Sequence, residues 1–188
     1  FIKQNQINDF VIKFVKPVIN DLKHNNIFFS GIFYAGLILT KYGPKLLEIN
    51  VRFGDPEAQA VLPRLKTDLL DLLLASSKGR LDQLRPPEWD NNFCINVVMA
   101  SKGYPESYKK NTIIGGLNKT TVNKSQYIFH SSTRKNEDHW LATGGRVLSI
   151  SALGSTLKEA RNKAYNVINE IDWKSGYYRN DIGWKHLT

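Results

Sequence analysis

Leu47-Glu48-Ile49-Asn50-Val51-Arg52-Phe53-Gly54-Asp55-Pro56-Glu57 is the stretch on which the reading of this chain turns. Polar and apolar residues alternate from Leu47 to Phe53, and the alternation then breaks into a Gly-Asp-Pro turn. Successive side chains of a strand point to opposite faces. The spacing therefore puts Glu48, Asn50 and Arg52 in one row, with Leu47, Ile49, Val51 and Phe53 on the other face. A carboxylate, a carboxamide and a guanidinium in one row make a poor core. The two oxygen donors suit a hard cation such as magnesium, and the guanidinium suits phosphate or carboxylate. A solvent-facing strand alternates in the same way. Two features favour a site. The apolar face anchors the strand, and the row runs into a predicted helix start, where free N–H groups and the helix dipole attract anions. A metal with an anion clamp serves phosphoryl transfer, although the row alone leaves several phosphate-handling roles open.

Upstream, Phe10, Phe14, Val18 and Leu22 recur every four residues and predict a helix over 8–24, kinked or divided at Pro17. The Phe- and Ile-rich run 27–39 predicts a strand, Tyr42-Gly43-Pro44 a turn, and 45–53 a second strand. The pair reads as an antiparallel hairpin. After Gly54, Asp55 is the expected N-cap and Pro56 the first residue of a helix ending near Leu62. A leucine-dense helix over 66–78 follows, stopped by Gly79. Arg85-Pro86-Pro87-Glu88 is a rigid polar connector and the expected module boundary.

Beyond it, strands are predicted over 92–100, 126–130, 138–143 and 145–152, with Gly115-Gly116 and Gly144-Gly145 as punctuation. Thr156 and Glu159 have capping-box spacing at the start of a helix over 156–170. Leu157, Ala160, Ala164, Val167 and Ile171 trace its buried stripe. The aromatic tail Tyr177–Gly183 is expected to dock.

The chain has 188 residues, enough for one large domain or two small ones. Its 41% hydrophobic and 23% charged content is that of a globular protein with a sizeable core. The longest apolar candidate, 27–39, is too short for a membrane span and carries Ser30, Gly31 and Gly36. The N-terminus has neither the apolar region nor the cleavage site of a signal peptide, and no initiator methionine; a piece of a longer chain is expected. One cysteine, Cys94, excludes an internal disulfide and makes a cytoplasmic setting the default. Within Phe93–Met99 it reads as a buried small hydrophobe rather than a nucleophile. The net charge of +9 calls for an anionic partner or a basic surface. Lys and Arg are scattered in runs of at most two, which argues against a nucleic-acid groove.

Several residues read both ways. Asp55 is a cap by spacing and could also hold a substrate ammonium group. Gln59, one turn on, reads as an exposed helix residue. Gly144-Gly145-Arg146 fits a hairpin turn or a tight backbone approach with Arg146 aimed at phosphate. Lys102-Gly103-Tyr104-Pro105 reads as a turn. His130 reads as structural, and His24, His139 and His186 have no metal-ligand spacing.

Glu48-Ile49-Asn50-Val51-Arg52-Phe53-Gly54-Asp55-Pro56-Glu57-Ala58-Gln59 closely resembles the signature of the glycinamide ribonucleotide synthetases (phosphoribosylamine–glycine ligases) of the ATP-grasp superfamily. Tyr34–Leu37, Ala100–Pro105, Phe129-His130, Thr143–Leu148, Glu159–Arg161 with Lys163–Tyr165, and Tyr178–Gly183 match the family's pattern in order, so the resemblance covers nearly the whole chain. It implies an α+β fold. Residues 1–85 would be the C-terminal part of an ATP-grasp domain, an antiparallel sheet with helices. Residues 86–188 would be a small, mostly β C-terminal domain with one helix.

The resemblance also implies ATP-dependent ligation of glycine to 5-phosphoribosylamine through glycyl phosphate, in purine biosynthesis. Glu48 and Asn50 would hold magnesium (or manganese) against the ATP phosphates, and Arg52 would stabilise the transferring phosphoryl group. Gly54 and Asp55 would form the glycine site, and Gly145 and Arg146 would meet phosphoribosylamine. Two stretches depart from the family pattern. The usual Phe-His-Ala-Gly-Thr reads Phe129-His130-Ser131-Ser132-Thr133, and Trp184-Lys185-His186-Leu187 replaces the usual Arg-Ala ending. The family's N-terminal domain and first ATP-binding lobe do not precede Phe1. The chain is therefore expected to be a C-terminal half, inactive without that lobe, and fusion to another purine-pathway domain is plausible. The rivals are another ATP-grasp carboxylate–amine ligase and a basic nucleic-acid-binding module. Neither nucleic acid nor membrane is an expected partner.

Overall fold

The computed structural model describes residues 2–137 and 139–187. They divide into two units. The first contains the residues up to Gly54 and Thr67–Pro87, and the second contains Asp55–Lys66 and the residues from Glu88 on. The last crossing falls inside the Arg85–Glu88 connector. The stretch 55–66, which the sequence reading groups with residues 1–85, lies in the second unit.

The first unit opens with α1 (Gln4–Phe10) and α2 (Lys16–His24), joined by a π-helical turn over Val11–Val15. Pro17 divides the predicted helix because it has no N–H to donate and its ring clashes with the carbonyl four residues back. The wider turn takes up the difference, and Lys16 N–H donates to Val11 O, five residues back. β1 (Tyr34–Thr40) and β2 (Gly43–Asn50) form the expected antiparallel hairpin, with Thr40 opposite Gly43. Gly43 has φ +95°, which side-chain-bearing residues avoid.

The first strand is shorter than predicted. Before it, Ser30 Oγ donates to Ser76 O at 2.7 Å. That bond ties the Phe-rich run to the end of α4 (Leu69–Ser77) rather than to a sheet. Asp68 caps α4 by accepting from Leu70 N–H at 2.7 Å, and Gly79, with φ +63°, follows its end.

The core of the second unit is a four-stranded antiparallel sheet in the order β5 (Gln126–His130), β8 (Arg146–Gly154), β3 (Phe93–Ser101), β9 (Gly176–Tyr178). A second sheet has the order β4 (Thr112–Ile114), β7 (His139–Ala142), β6 (Thr133–Asn136). Of the strand predicted over 138–143, Asp138 lies outside the described residues. The short strands β4, β6 and β9 lack the apolar run that marks a strand in sequence.

In the main sheet, Ile95 faces Ala152, Val97 faces Ile150 and Met99 faces Leu148. These pairs form one core with Ala160, Ala164, Val167 and Ile168 of α5 (Leu157–Glu170). The helical stripe is the predicted one with Ile168 added and Leu157 only partly buried. The capping box is half formed: Thr156 Oγ1 accepts from Glu159 N–H, whereas the Glu159 carboxylate reaches past Thr156 to Ser155 N–H and Oγ. By the two-residue period of a strand, Asn96 and Ser151, paired in register, lie on the opposite face. The tail docks as expected. Tyr165 Oη donates to Arg179 O, and Arg161 Nε donates to Ile182 O.

Candidate functional site

The predicted row of three is a row of two. Glu48 and Asn50 share a face near the end of β2, and Asn50 Nδ2 donates to Glu48 Oε1 at 3.0 Å. The strand stops at Asn50, so Val51 and Arg52 lie in a bend rather than in the row. The Arg52 guanidinium folds back and donates to Phe53 O at 2.8 Å. The apolar residues do not anchor the strand either, since Leu47 is 66% and Val51 71% exposed. The hairpin is a two-stranded ribbon, and such a ribbon buries neither face by itself.

Opposite Glu48 stands Gly36. A Cβ added to Gly36 would lie 3.0 Å from Glu48 Cγ, so the glycine leaves room for that side chain to lie across the hairpin. A carboxylate and a carboxamide two residues apart on one face fit magnesium, which takes one or two protein oxygens and completes its shell with water and phosphate oxygens. Among the described residues no group of three His, Cys, Asp or Glu side chains is arranged to hold a metal.

In the second unit the structure corrects the role expected of Asp55. Asp55, Pro56 and Glu57 form a turn, and the helix α3 that follows is four residues long, Ala58–Val61, with Glu57 at its N-cap position. Asp55 does not cap it, because its carboxylate is engaged elsewhere. Gln59 Nε2 donates to Asp55 Oδ1 at 3.0 Å. Arg146, at the start of β8, donates from Nη1 to Asp55 O at 2.8 Å and from Nη2 to Asp55 Oδ2 at 3.3 Å. Two predicted site residues 91 positions apart are thus brought together. The anion-binding helix terminus expected after Gly54 is absent, since so short a helix has almost no dipole to offer.

Gly145 owes its identity to packing: a Cβ there would lie 2.2 Å from the Tyr104 ring. Ser132, which departs from the family pattern, fills the space beside Gly144, where a Cβ would lie 2.5 Å from Ser132 Oγ. His130 is structural. Its Nδ1 lies 2.7 Å from Thr133 Oγ1, its ring is 4.4 Å from that of Trp140, and burial holds its pKa below the usual histidine value. Burial likewise pushes the Cys94 thiol up to about 11, which makes it a poor nucleophile. Sequence reasoning missed Gln59, Ser151 and Asn96. Ser151 Oγ donates to Gln59 O at 2.6 Å and lies 2.9 Å from Asn96 Oδ1, and Asn96 Nδ2 reaches Pro56 O at 3.5 Å. The available signal was a polar residue set inside each of two apolar strand runs, Asn96 within Phe93–Met99 and Ser151 within Val147–Leu153.

An α+β chain of this architecture has counterparts among ATP-grasp ligases. Residues 1–58 match the family model described as phosphoribosylglycinamide synthetase, ATP-grasp (A) domain, and residues 94–185 match phosphoribosylglycinamide synthetase, C domain. The chain is 45% identical over 181 residues to the phosphoribosylamine–glycine ligase of Caldanaerobacter subterraneus, covering 96% of this chain and 42% of that protein. It is 41% identical over 187 residues to the chloroplastic enzyme of Arabidopsis thaliana, covering 97% of this chain and 35% of that protein. The crystal structure of phosphoribosylamine–glycine ligase from Thermotoga maritima superposes with a TM-score of 0.79 at 28% identity, over 96% of this chain and 44% of that one. The chain belongs to the phosphoribosylglycinamide synthetase family. It spans about two fifths of the length of the curated bacterial relatives it matches.

Proposed function

We propose that this chain is the C-terminal section of an ATP-dependent phosphoribosylamine–glycine ligase. The reading rests on one observation above all: the matches to the family's ATP-grasp and C domains follow one another along the chain in that order. In the reaction, the glycine carboxylate takes the γ-phosphoryl group of ATP to give glycyl phosphate, and ADP leaves. The amine of phosphoribosylamine then attacks the acyl carbon, forming the amide and releasing phosphate. Such chemistry is mainly positioning and charge stabilisation.

Glu48 and Asn50 hold magnesium or manganese, which when bound screens the phosphate charges. Arg52 turns from Phe53 O to the transferring phosphoryl group. Gly54 and Asp55 receive glycine, with the Asp55 carboxylate taking the ammonium group. Gly145, packed against the Tyr104 ring, sets Arg146 at the phosphoribosylamine site. Arg146 spends two of its five N–H donors on Asp55; those left over meet the phosphate of phosphoribosylamine.

Because the relatives are more than twice as long, residues 1–188 alone are expected to be inactive, and detectable turnover by them would refute that. In the full-length protein Glu48→Gln should raise the magnesium concentration needed for half-maximal rate several-fold. An unchanged magnesium dependence removes the ligand role. Arg146→Ala should raise the KM for phosphoribosylamine by an order of magnitude, and an unchanged KM removes the phosphate contact.

A further inference from the structure

We propose that Gln59 and Ser151 are positioning residues that set the Asp55 carboxylate to receive the glycine ammonium group; this rests on the glycine-site reading of Asp55 given above. Each carboxylate oxygen can accept two hydrogen bonds. Oδ1 takes one from Gln59 Nε2 at 3.0 Å, and Oδ2 takes one from Arg146 Nη2 at 3.3 Å. One acceptor position on each oxygen is left, a match for two donors of an ammonium group. The orientation of the Gln59 amide is dictated by Asp55. Turned the other way, it would set acceptor against acceptor. The chosen orientation leaves Gln59 Oε1 buried without a partner among the described residues. A buried orphan acceptor is an unfavourable arrangement, so the donor bond to Asp55 decides it.

The main chain of Gln59 is held in turn. Ser151, fully buried in β8, donates to Gln59 O at 2.6 Å. It shares its single proton with Asn96 Oδ1 at 2.9 Å, and Asn96 Nδ2 donates in turn to Pro56 O at 3.5 Å. A hydroxyl on a sheet face that an apolar side chain could fill is thus used to fix the turn residue that fixes Asp55.

The test uses the full-length protein with steady-state kinetics for all three substrates. Gln59→Met keeps the length and removes the donor. It should raise the KM for glycine about tenfold while kcat and the KM values for ATP and phosphoribosylamine stay within twofold. Ser151→Ala should act in the same direction, and Ser151→Thr, which keeps the hydroxyl, should restore the glycine KM. An unchanged glycine KM in Gln59→Met, or an equal rise for all three substrates, overturns the proposal. Asp55→Asn separates the two levels. If it raises the glycine KM and Gln59→Met does not, the positioning role alone falls. If Asp55→Asn leaves the glycine KM unchanged, the glycine-site reading falls and the positioning role with it.

Discussion

Glycines at close approaches illustrate how one residue type answers to different neighbours. At Gly154 an added Cβ would meet the Ala160 main-chain nitrogen at 2.4 Å. At Gly145 it would meet the Tyr104 ring at 2.2 Å. Backbone cannot yield, whereas the ring is 43% exposed and can swing outward. Gly154→Ala should therefore cost about 1–3 kcal/mol, the usual penalty of overpacking, and Gly145→Ala clearly less; equal losses in chemical denaturation would contradict this. Cys94 yields a second prediction. Burial raises its thiol to about 11 from 9.0. The folded state then favours the protonated form, so this contribution to stability is complete below pH 9 and fades as pH rises towards 11. Native protein at pH 8 should react with a thiol reagent far more slowly than unfolded protein, and equal rates would remove the burial argument.

Helix α5 is the element whose ends and face agree best with its pattern. Thr156→Ala should cost about 1 kcal/mol by releasing the Glu159 N–H from its cap, read as a lower midpoint in urea. Glu159 lies outside the closed capping box, bonded instead to Lys163 and Ser155. Those bonds hold its carboxyl down at about 2. A depressed carboxylate pKa contributes stability above the unfolded value, and that contribution is lost as pH falls through the folded one. Glu159→Gln should therefore flatten the stability profile between about pH 4.5 and 2. A profile with wild-type slope in that window would show that the side-chain bonds contribute nothing. The hairpin β1–β2 gives the opposite lesson. Its alternation is clear in sequence, yet alternation cannot say where pairing stops, and Arg52 falls beyond the last paired residue.

For the molecule as a whole, the contact pattern groups 55–66 with the C-terminal sheet. Arg146 and Ser151 bond to it, Lys66 N–H donates to Glu88 O, and Leu65 pairs with Trp89. A boundary at the Pro-Pro connector cuts through those bonds. Residues 55–188 should melt in one transition at a higher temperature than residues 86–188, and equal melting temperatures would favour the connector as the folding boundary. The connector was legible because proline and charge mark exposed chain. The return of 55–66 was not, because it depends on hydrogen bonds and a strand bridge between residues some 20 to 90 apart.

The sequence by itself determined the family, the α+β class, the helix α5 with its buried stripe, and the pairing of Glu48 with Asn50. The first two rest on the resemblance of ordered motifs to a known family, and the others follow from local periodicity, capping chemistry and side-chain type, which act over a few residues. Tertiary structure alone decided that Asp55 is no helix cap, that Arg146 holds it, and that Gln59 and Ser151 stand behind it. Asp55 has one carboxylate and several potential partners. Which of them it takes depends on how the 55–59 turn lies on the sheet carrying Asn96 and Ser151, and no local pattern records that approach.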